Sequence, residues 1–406
     1  MIPKEDLRWY LFEENIDLHL KNGLINYEER VISHMNKFMT YYPYLRLFGI
    51  KSHFFYNLAK SSGKDKKTIL VHDYLWKYPH IINELKLNYN LIFFGLNVRP
   101  FLFSSGKNVH YPLYEIYKSV YAGIMNSDSF LLEEGYLNLK KVLRKIDPQL
   151  IVLDFDFFPE TRLILLVAKE LKIPTVEIQH GVYSGEKQLV SGLYADYVFV
   201  WGEYFKNLYL KSKIKEKEQI RILGYPYPLN KLENVQFQKK IMYIGQPMEL
   251  YGDQFLSSKI NIINEVDGLC RDNRFQFTYK PHRMEDLDLL KKELPHVKFY
   301  PKTAKIEDTI RENDIFVSFN STALIEAALK SKICVQLKVF NIPTDDFEKL
   351  DICRSFTSLS EFDQFLKDLD SADDLERFYS QVSSDYIEIS SINPGNKFIE
   401  LIKDII

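Results

Sequence analysis

The stretch Ile315-Phe-Val-Ser-Phe-Asn320-Ser321-Thr322-Ala-Leu-Ile-Glu326-Ala-Ala decides how the rest of the chain is read. Its first five residues carry no charge and are mostly aromatic or β-branched, the pattern of a strand buried on both faces. Asn320, Ser321 and Thr322 then offer the short polar side chains that open helices, and small residues follow. A buried strand turning straight into a helix is half of a parallel strand-helix-strand unit. Open α/β sheets bind ligands beyond the carboxyl ends of such strands. Upstream, Phe277-Thr-Tyr-Lys280-Pro281-His282-Arg283 has a related form, an apolar run ending in a turn with three potential cations. Pro281 fixes that turn. Together the two strand ends predict a site for the phosphate of a nucleotide-activated donor.

Working outward, residues 1–60 show helical spacing and no strand signal. Strands are then expected at 68–72, 90–95, 149–154, 174–179, 195–200 and 221–223, with helices over 79–87, 112–146 and 160–171. Gly224-Tyr-Pro226-Tyr-Pro228-Leu-Asn230 breaks the alternation. A second series places strands at 240–245, 275–279, 297–300, 315–319 and 333–337, and helices near 253–270, 285–293, 306–312 and up to about 330. The expected fold is therefore α/β, with two Rossmann-like domains facing across a cleft and an N-terminal helical extension. Residues 1–230 would form the acceptor-binding domain and 231–385 the donor-binding domain, with a helix in 386–406 packing back on the first. Two such domains with ligand at the seam make the GT-B architecture of many glycosyltransferases and one epimerase family.

The chain has 406 residues, enough for two cores, and 46% hydrophobic with 27% charged residues excludes a disordered chain. A net charge of −2 supplies no general field for nucleic acid, so anion binding must be local. There is no run of about 18 apolar residues and no signal-peptide pattern, which predicts a cytoplasmic protein. Cys270, Cys334 and Cys353 lack metal-site or redox spacing and read as reduced core thiols. Between Lys37 and Lys67, aromatics such as Tyr41, Tyr44 and Phe48 mix with lysines. That mixture fits helices packing aromatics inward, with peripheral contact at an inner-membrane surface as the alternative.

Lys280 and His282 are the expected phosphate ligands, joined by the helix start at Ser321 and Thr322, with Asn320 beside them. Glu326, about one turn in, would accept ribose hydroxyls. Gly245 and Gln246 close another strand, where a glycine permits close backbone approach and an amide offers donor and acceptor. In the first domain His180, after a buried strand and before Gly181, suits a general base, with Asp154, Asp156 and Glu177 as rivals. His72, Asp73 and His110 are minor acceptor-binding candidates. No metal constellation is found. Asp154-Phe-Asp156 is the DxD triplet at the end of an expected strand, and its setting in a doubly wound pattern points away from metal binding. Walker A and dinucleotide glycine patterns are absent.

Tyr243-Ile-Gly-Gln-Pro247, Tyr279-Lys-Pro-His-Arg283 and Phe319-Asn-Ser-Thr-Ala-Leu-Ile-Glu-Ala327 together resemble the motifs of bacterial GT-B sialyltransferases and related capsule and lipooligosaccharide transferases. The resemblance is clearest over about 240–340. It implies an inverting, metal-independent enzyme without a cofactor, moving a sugar of the sialic acid, Kdo or pseudaminic acid class from CMP to a glycan or lipid-linked glycan. It further implies that Lys280 and His282 contact the CMP phosphate, and Ser321 and Thr322 its phosphate or ribose. Two features depart from that family: the order Pro-His rather than His-Pro, and the missing acidic pair before glycine. Gln179-His-Gly181 stands there instead and is similar to the Trp-His-Gly of polyol-phosphate polymerases that use CDP-glycerol. A UDP-sugar 2-epimerase and a degenerate glycan-binding subunit remain the other readings of the same fold.

Overall fold

The computed structural model describes residues 6–21, 23–62, 66–96, 109–182, 189, 191–227, 236–342, 344–372, 374–384, 386–389 and 393–406, without the side chains of 48 and 50–62. The domain boundary expected at 230/231, the loop residues Pro228 to Asn230 and residue 385 lie outside this set.

Two parallel sheets organise the chain. The first holds β1 (Thr68–His72), β2 (Asn90–Phe94), β3 (Val109–His110), β4 (Leu150–Leu153), β5 (Thr175–Ile178), β6 (Tyr197–Val200) and β7 (Ile220–Ile222), in the order β3-β2-β1-β4-β5-β6-β7. The second holds β8 (Lys240–Ile244), β9 (Gln276–Lys280), β10 (Ile315–Ser318), β11 (Ile333–Leu337) and β12 (Arg354–Phe356), in the order β12-β11-β10-β8-β9. Central strands such as β4, β10 and β11 are buried along their whole length, as continuous apolar runs require when helices cover both faces.

Helices α1 (Glu14–Lys21) and α2 (Tyr27–Ser62) form the N-terminal extension. The first sheet carries α3 (Pro79–Asn88), α4 (Tyr114–Asn126), α5 (Ser129–Ile146), α6 (Pro159–Leu171) and α7 (Glu203–Ser212). Around the second lie α8 (Gln254–Asp272), α9 (Leu287–Glu293), α10 (Ile306–Glu312), α11 (Ala323–Ala328) and α12 (Leu359–Asp370), and α13 (Pro394–Ile402) ends the chain.

Several expectations change in detail. The single helix expected over 112–146 is two, because Ser127 turns left-handed at φ 55° and the Asp128 carboxylate caps α5 through the N–H groups of Phe130 and Leu131. The strand expected at 297–300 is only a bridge. Tyr279 N–H donates to Lys298 and Tyr300 N–H to Tyr279, and Pro301 then prevents extension. Helix α7 and the β12–α12 unit were not anticipated, although Ser358 and Glu361 make a capping box that the sequence displays.

The extension belongs to the first core: Leu11, Val31, Met35 and Phe38 pack with Tyr117, Tyr121 and Leu163. The aromatics of α2 divide, with Phe38 buried but Tyr41 and Tyr44 exposed, so inward packing accounts for only part of them. Helix α13 returns to the first sheet, where Phe398 and Ile402 join Ile82, Leu85 and Phe199. A third cluster joins the two sheets, bringing Trp201, Phe205 and Tyr225 against Leu324, Phe316 and Tyr386. The crossover begins at Gly224, whose φ of +83° and contact with the Glu388 carbonyl leave no room for a side chain. Tyr225 N–H donates to Glu388 O, and Glu388 N–H donates to Trp201 O.

Candidate functional site

The C-terminal ends of the two sheets look at each other across a crevice. Glu326 of α11 senses both Lys77 of the first domain and Lys280 of the second. Tyr74 senses Arg283, and His282 senses Arg30 from α2. The turn following β9 therefore lies within electrostatic reach of both the 73–77 turn and the N-terminal extension.

In the second domain the cation-rich turn is held by a residue that motif reading passed over. Glu285 is 1% exposed and accepts from Tyr279 OH at 2.6 Å, Lys259 Nζ at 2.9 Å and His282 N–H at 2.5 Å. Its own N–H donates to the His282 carbonyl. Burial raises its pKa against the opposing pull of Lys259. A carboxylate three residues after His282 was the available signal.

His282 lies in this crevice within reach of water, yet burial and the charges of Arg30, Arg283, Lys280 and Lys259 lower its pKa to about 4. The expected cation is thus a neutral imidazole at pH 7. Its Nδ1 accepts the Met284 N–H at 3.3 Å, which leaves Nε2 as the donor. Partial burial and then Arg283 lower the Lys280 pKa, while Glu326 and Glu285 oppose the shift. Neither Lys280 nor Arg283 has a hydrogen-bond or ion-pair partner among the described residues.

Gly245 and Gln246 turn inward. A Cβ on Gly245 would collide with Glu285 and Tyr279, so the glycine makes room for that carboxylate. The Gln246 Oε1 accepts Asn320 N–H at 2.9 Å and its Nε2 donates to Asn320 O. Both polar ends are consumed bracing the 320 strand end, because β8 and β10 are neighbours and Ile244 pairs with Ser318. Asn320 reaches Asp345 at 3.3 Å, and its Oδ1 is buried without a partner among the described residues.

Ser321 Oγ accepts the Ala323 N–H at 3.3 Å, whereas Thr322 makes no side-chain cap. The α11 helix is only six residues long, so its dipole is weak. The local anion attraction rests instead on the N–H groups of Ser321 and Thr322, which meet no acceptor among the described residues. Glu326 is raised to about 7 by burial and by Glu307, against the pull of Lys330, Lys77 and Lys280.

The first domain supplies His180 and Asp154. Asp154 is 2% exposed and bonds Lys77 Nζ at 2.9 Å, with Tyr78 OH at 3.4 Å. Burial opposes its ionisation, but Lys77 and then His180 outweigh it and hold the carboxyl below its ordinary range. A carboxylate so stabilised is a poor base, and Asp154 is better described as the anchor of Lys77.

His180 contacts the Asp154 backbone through a hydrogen bond, and its buried Nδ1 has no partner among the described residues. Burial lowers its pKa, partly offset by Asp154, so its lone pair is available at neutral pH. Phe155 and Phe157 flank it at ring-centroid distances of 6.1 and 6.0 Å.

The rival bases are engaged elsewhere. Asp156 accepts the N–H groups of Gly192, Tyr194 and Ala195, and Glu177 accepts from Ser191. Burial and the neighbouring Asp156 push the Glu177 carboxyl well up. Asp154 and Asp156 therefore face different partners and do not make a two-carboxylate clamp. His72 and His110 are buried and held down to about 4 and about 3 by desolvation, which suits packing. Among the described residues no group of His, Cys, Asp and Glu is arranged as a metal site.

Neither a protein-family model nor a curated protein sequence matches this chain. Solved structures do. MnaA of S. aureus, determined with UDP, aligns with a TM-score of 0.56 at 14% identity, over 84% of this chain and 98% of that one. The UDP-GlcNAc 2-epimerase of Methanocaldococcus jannaschii gives 0.53 at 14% identity, over 84% and 99%. The lipopolysaccharide outer core galactosyltransferase WaaB gives 0.50 at 12% identity, over 84% and 100%. The chain has the GT-B fold. An epimerase and a transferase share that likeness, so it does not select a reaction, and the expected link to sialyltransferases goes no further than the fold.

Proposed function

We propose that this chain transfers a sugar from a nucleotide-activated donor to a hydroxyl acceptor, with inversion. The supporting observation is that Glu326 lies within electrostatic reach of both Lys280 and Lys77, which ties the cationic strand end of the second sheet to the Lys77–Asp154 pair beside His180 in the first. In this reading Nδ1 of His180 takes the acceptor proton as the acceptor oxygen attacks the anomeric carbon. The bond from that carbon to the phosphate oxygen breaks through an oxocarbenium-like state. The phosphate leaves with the electron pair, and Lys280, Arg283, the His282 Nε2–H and the two backbone N–H groups meet its charge without calling on a metal. Glu326 accepts the ribose hydroxyls, and Asp154 positions Lys77 between the domains.

The motif resemblance favours a cytidylate donor of the sialic acid class, whereas the UDP-bound MnaA favours a uridine diphosphate. The second reading is a UDP-sugar 2-epimerase, favoured by the fold likeness to such enzymes. Against it, Asp154, Asp156 and Glu177 are already engaged, which leaves few carboxylates for the sugar ring. Isomerised sugar formed in the absence of any acceptor would decide for the epimerase.

No helix among the described residues is long and apolar enough to cross a membrane. A lipid-linked acceptor would bring the exposed Tyr41, Tyr44 and Leu47 of α2 against a membrane surface. The test of the whole reading is a thermal-shift screen with CMP, CDP, UDP and GDP. A ligand at 100 times its Kd stabilises by about 2.7 kcal/mol. If none of the four moves the transition, the donor site does not exist.

A further inference from the structure

The start of α2 is fixed from two sides. Asn26 donates through Nδ2 to Glu249 O at 2.9 Å, and its N–H reaches Leu250 O at 3.3 Å, both in the second domain. Tyr27 stacks on His19 with centroids 3.7 Å apart and receives the Asn15 Nδ2 hydrogen bond at 3.2 Å. Arg30 follows one turn later, its N–H bonded to Asn26 O, so its direction is set by that clamp. The side chain is half-buried and its charge reaches His282 across the crevice. Yet none of the five guanidinium donors meets an acceptor or carboxylate among the described residues.

A half-buried guanidinium without acceptors is unfavourable unless something else supplies them. The nearby Lys259 needs no ligand, since Glu285 and Glu249 neutralise it. Arg30, Lys280 and Arg283 have no ion-pair partner among the described residues, although Glu326 and Glu285 lie within electrostatic reach of Lys280. One phosphodiester carries one negative charge, too little for three cations.

We infer that the N-terminal extension completes the substrate site, with Arg30 binding a second anionic group of the nucleotide beyond the phosphate met by Lys280. This rests on the donor-site reading above and narrows it to doubly anionic donors. The second group is either the β-phosphate of a nucleoside diphosphate or a carboxylate on the sugar of a nucleoside monophosphate. Both offer paired oxygens to a planar fork.

Calorimetric titration of wild type, Arg30→Gln and Lys280→Gln tests it in two arms, UMP against UDP and CMP against CMP-N-acetylneuraminate. Wild type should bind the member of one arm that has two anionic groups more tightly than its partner with one, whose monoester phosphate is itself close to doubly charged at pH 7. Arg30→Gln should weaken that member about 10- to 100-fold and leave the ligand with a single anionic group unchanged. Lys280→Gln should weaken both members alike. Selective loss in the UDP arm assigns a β-phosphate, and in the CMP-sugar arm a carboxylate. Equal loss of both members in Arg30→Gln, or loss of neither, overturns the role of Arg30 while leaving the donor site standing. Wild type that binds none of the four ligands removes the donor site itself. Arg30→Lys, which keeps charge but not the fork, should retain part of the selectivity and guards against a folding defect.

Discussion

Replacing Glu285 by Gln keeps its shape and removes its charge, and the effect follows from its surroundings. The carboxylate stands 2.9 Å from Lys259, and the two side chains are 0% and 2% exposed. Removing one partner of a buried pair costs about 3–5 kcal/mol, because the other charge is left in the protein. Lys259 keeps Glu249 at 3.3 Å and Gln246 O at 3.4 Å, so Glu285→Gln should fall near the lower end, about 3 kcal/mol. The double variant Lys259→Met/Glu285→Leu removes both charges together. Its loss should shrink to about 1–3 kcal/mol, the cost of leaving Tyr279 OH and His282 N–H without their acceptor. Nucleotide affinity should not recover with the stability, since nothing then holds His282 in place. Urea unfolding followed by far-UV circular dichroism gives the first two values, and titration with the best nucleotide gives the third. Losses for Lys259→Met and Glu285→Leu that simply add in the double variant would refute the reasoning, as would recovered binding.

Other consequences are as direct. Glu326 has a folded pKa of about 7, raised from 4.5, so its protonated form favours the native state. Its contribution is complete below about pH 4.5 and lost as pH rises towards 7, and Glu326→Gln should remove that slope from the urea midpoint. His282, lowered to about 4, should gain a proton when a phosphate arrives, so nucleotide affinity rises as pH falls from 6.5 towards 4. Calorimetry in buffers of different ionisation enthalpy should report proton uptake that His282→Gln abolishes; equal heats in wild type would remove the phosphate contact. His180→Gln should lower turnover by about 100- to 10,000-fold with the nucleotide Kd unchanged. Turnover within a few-fold of wild type would assign the base elsewhere.

The two sheets were legible because their central strands are uninterrupted apolar runs, a pattern few other structures require. Elements near the edges were not. β3 has two residues, and β12 is the polar Arg354-Ser-Phe356. The strand ends were legible as places, but roles were misread where they depend on neighbours distant in sequence. Gln246 looked like a ligand group until the pairing of β8 with β10 brought it to the Asn320 peptide. Gly245 looked like an approach for a ligand and proved to be space for Glu285. His282 read as a cation, whereas burial in the fold and then Arg30, some 250 positions away, lower its pKa. Lys77 and Arg30 have no local signature at all, since each acquires meaning only when the two domains meet.

The chain passes from one lobe to the other twice, before β8 and again before α13, and the two passages are stitched together where Tyr225 and Trp201 bond Glu388. A single tether would let the lobes swivel freely. Paired tethers act like the pin of a pair of scissors: opening and shutting remain easy, while twisting and sliding are suppressed.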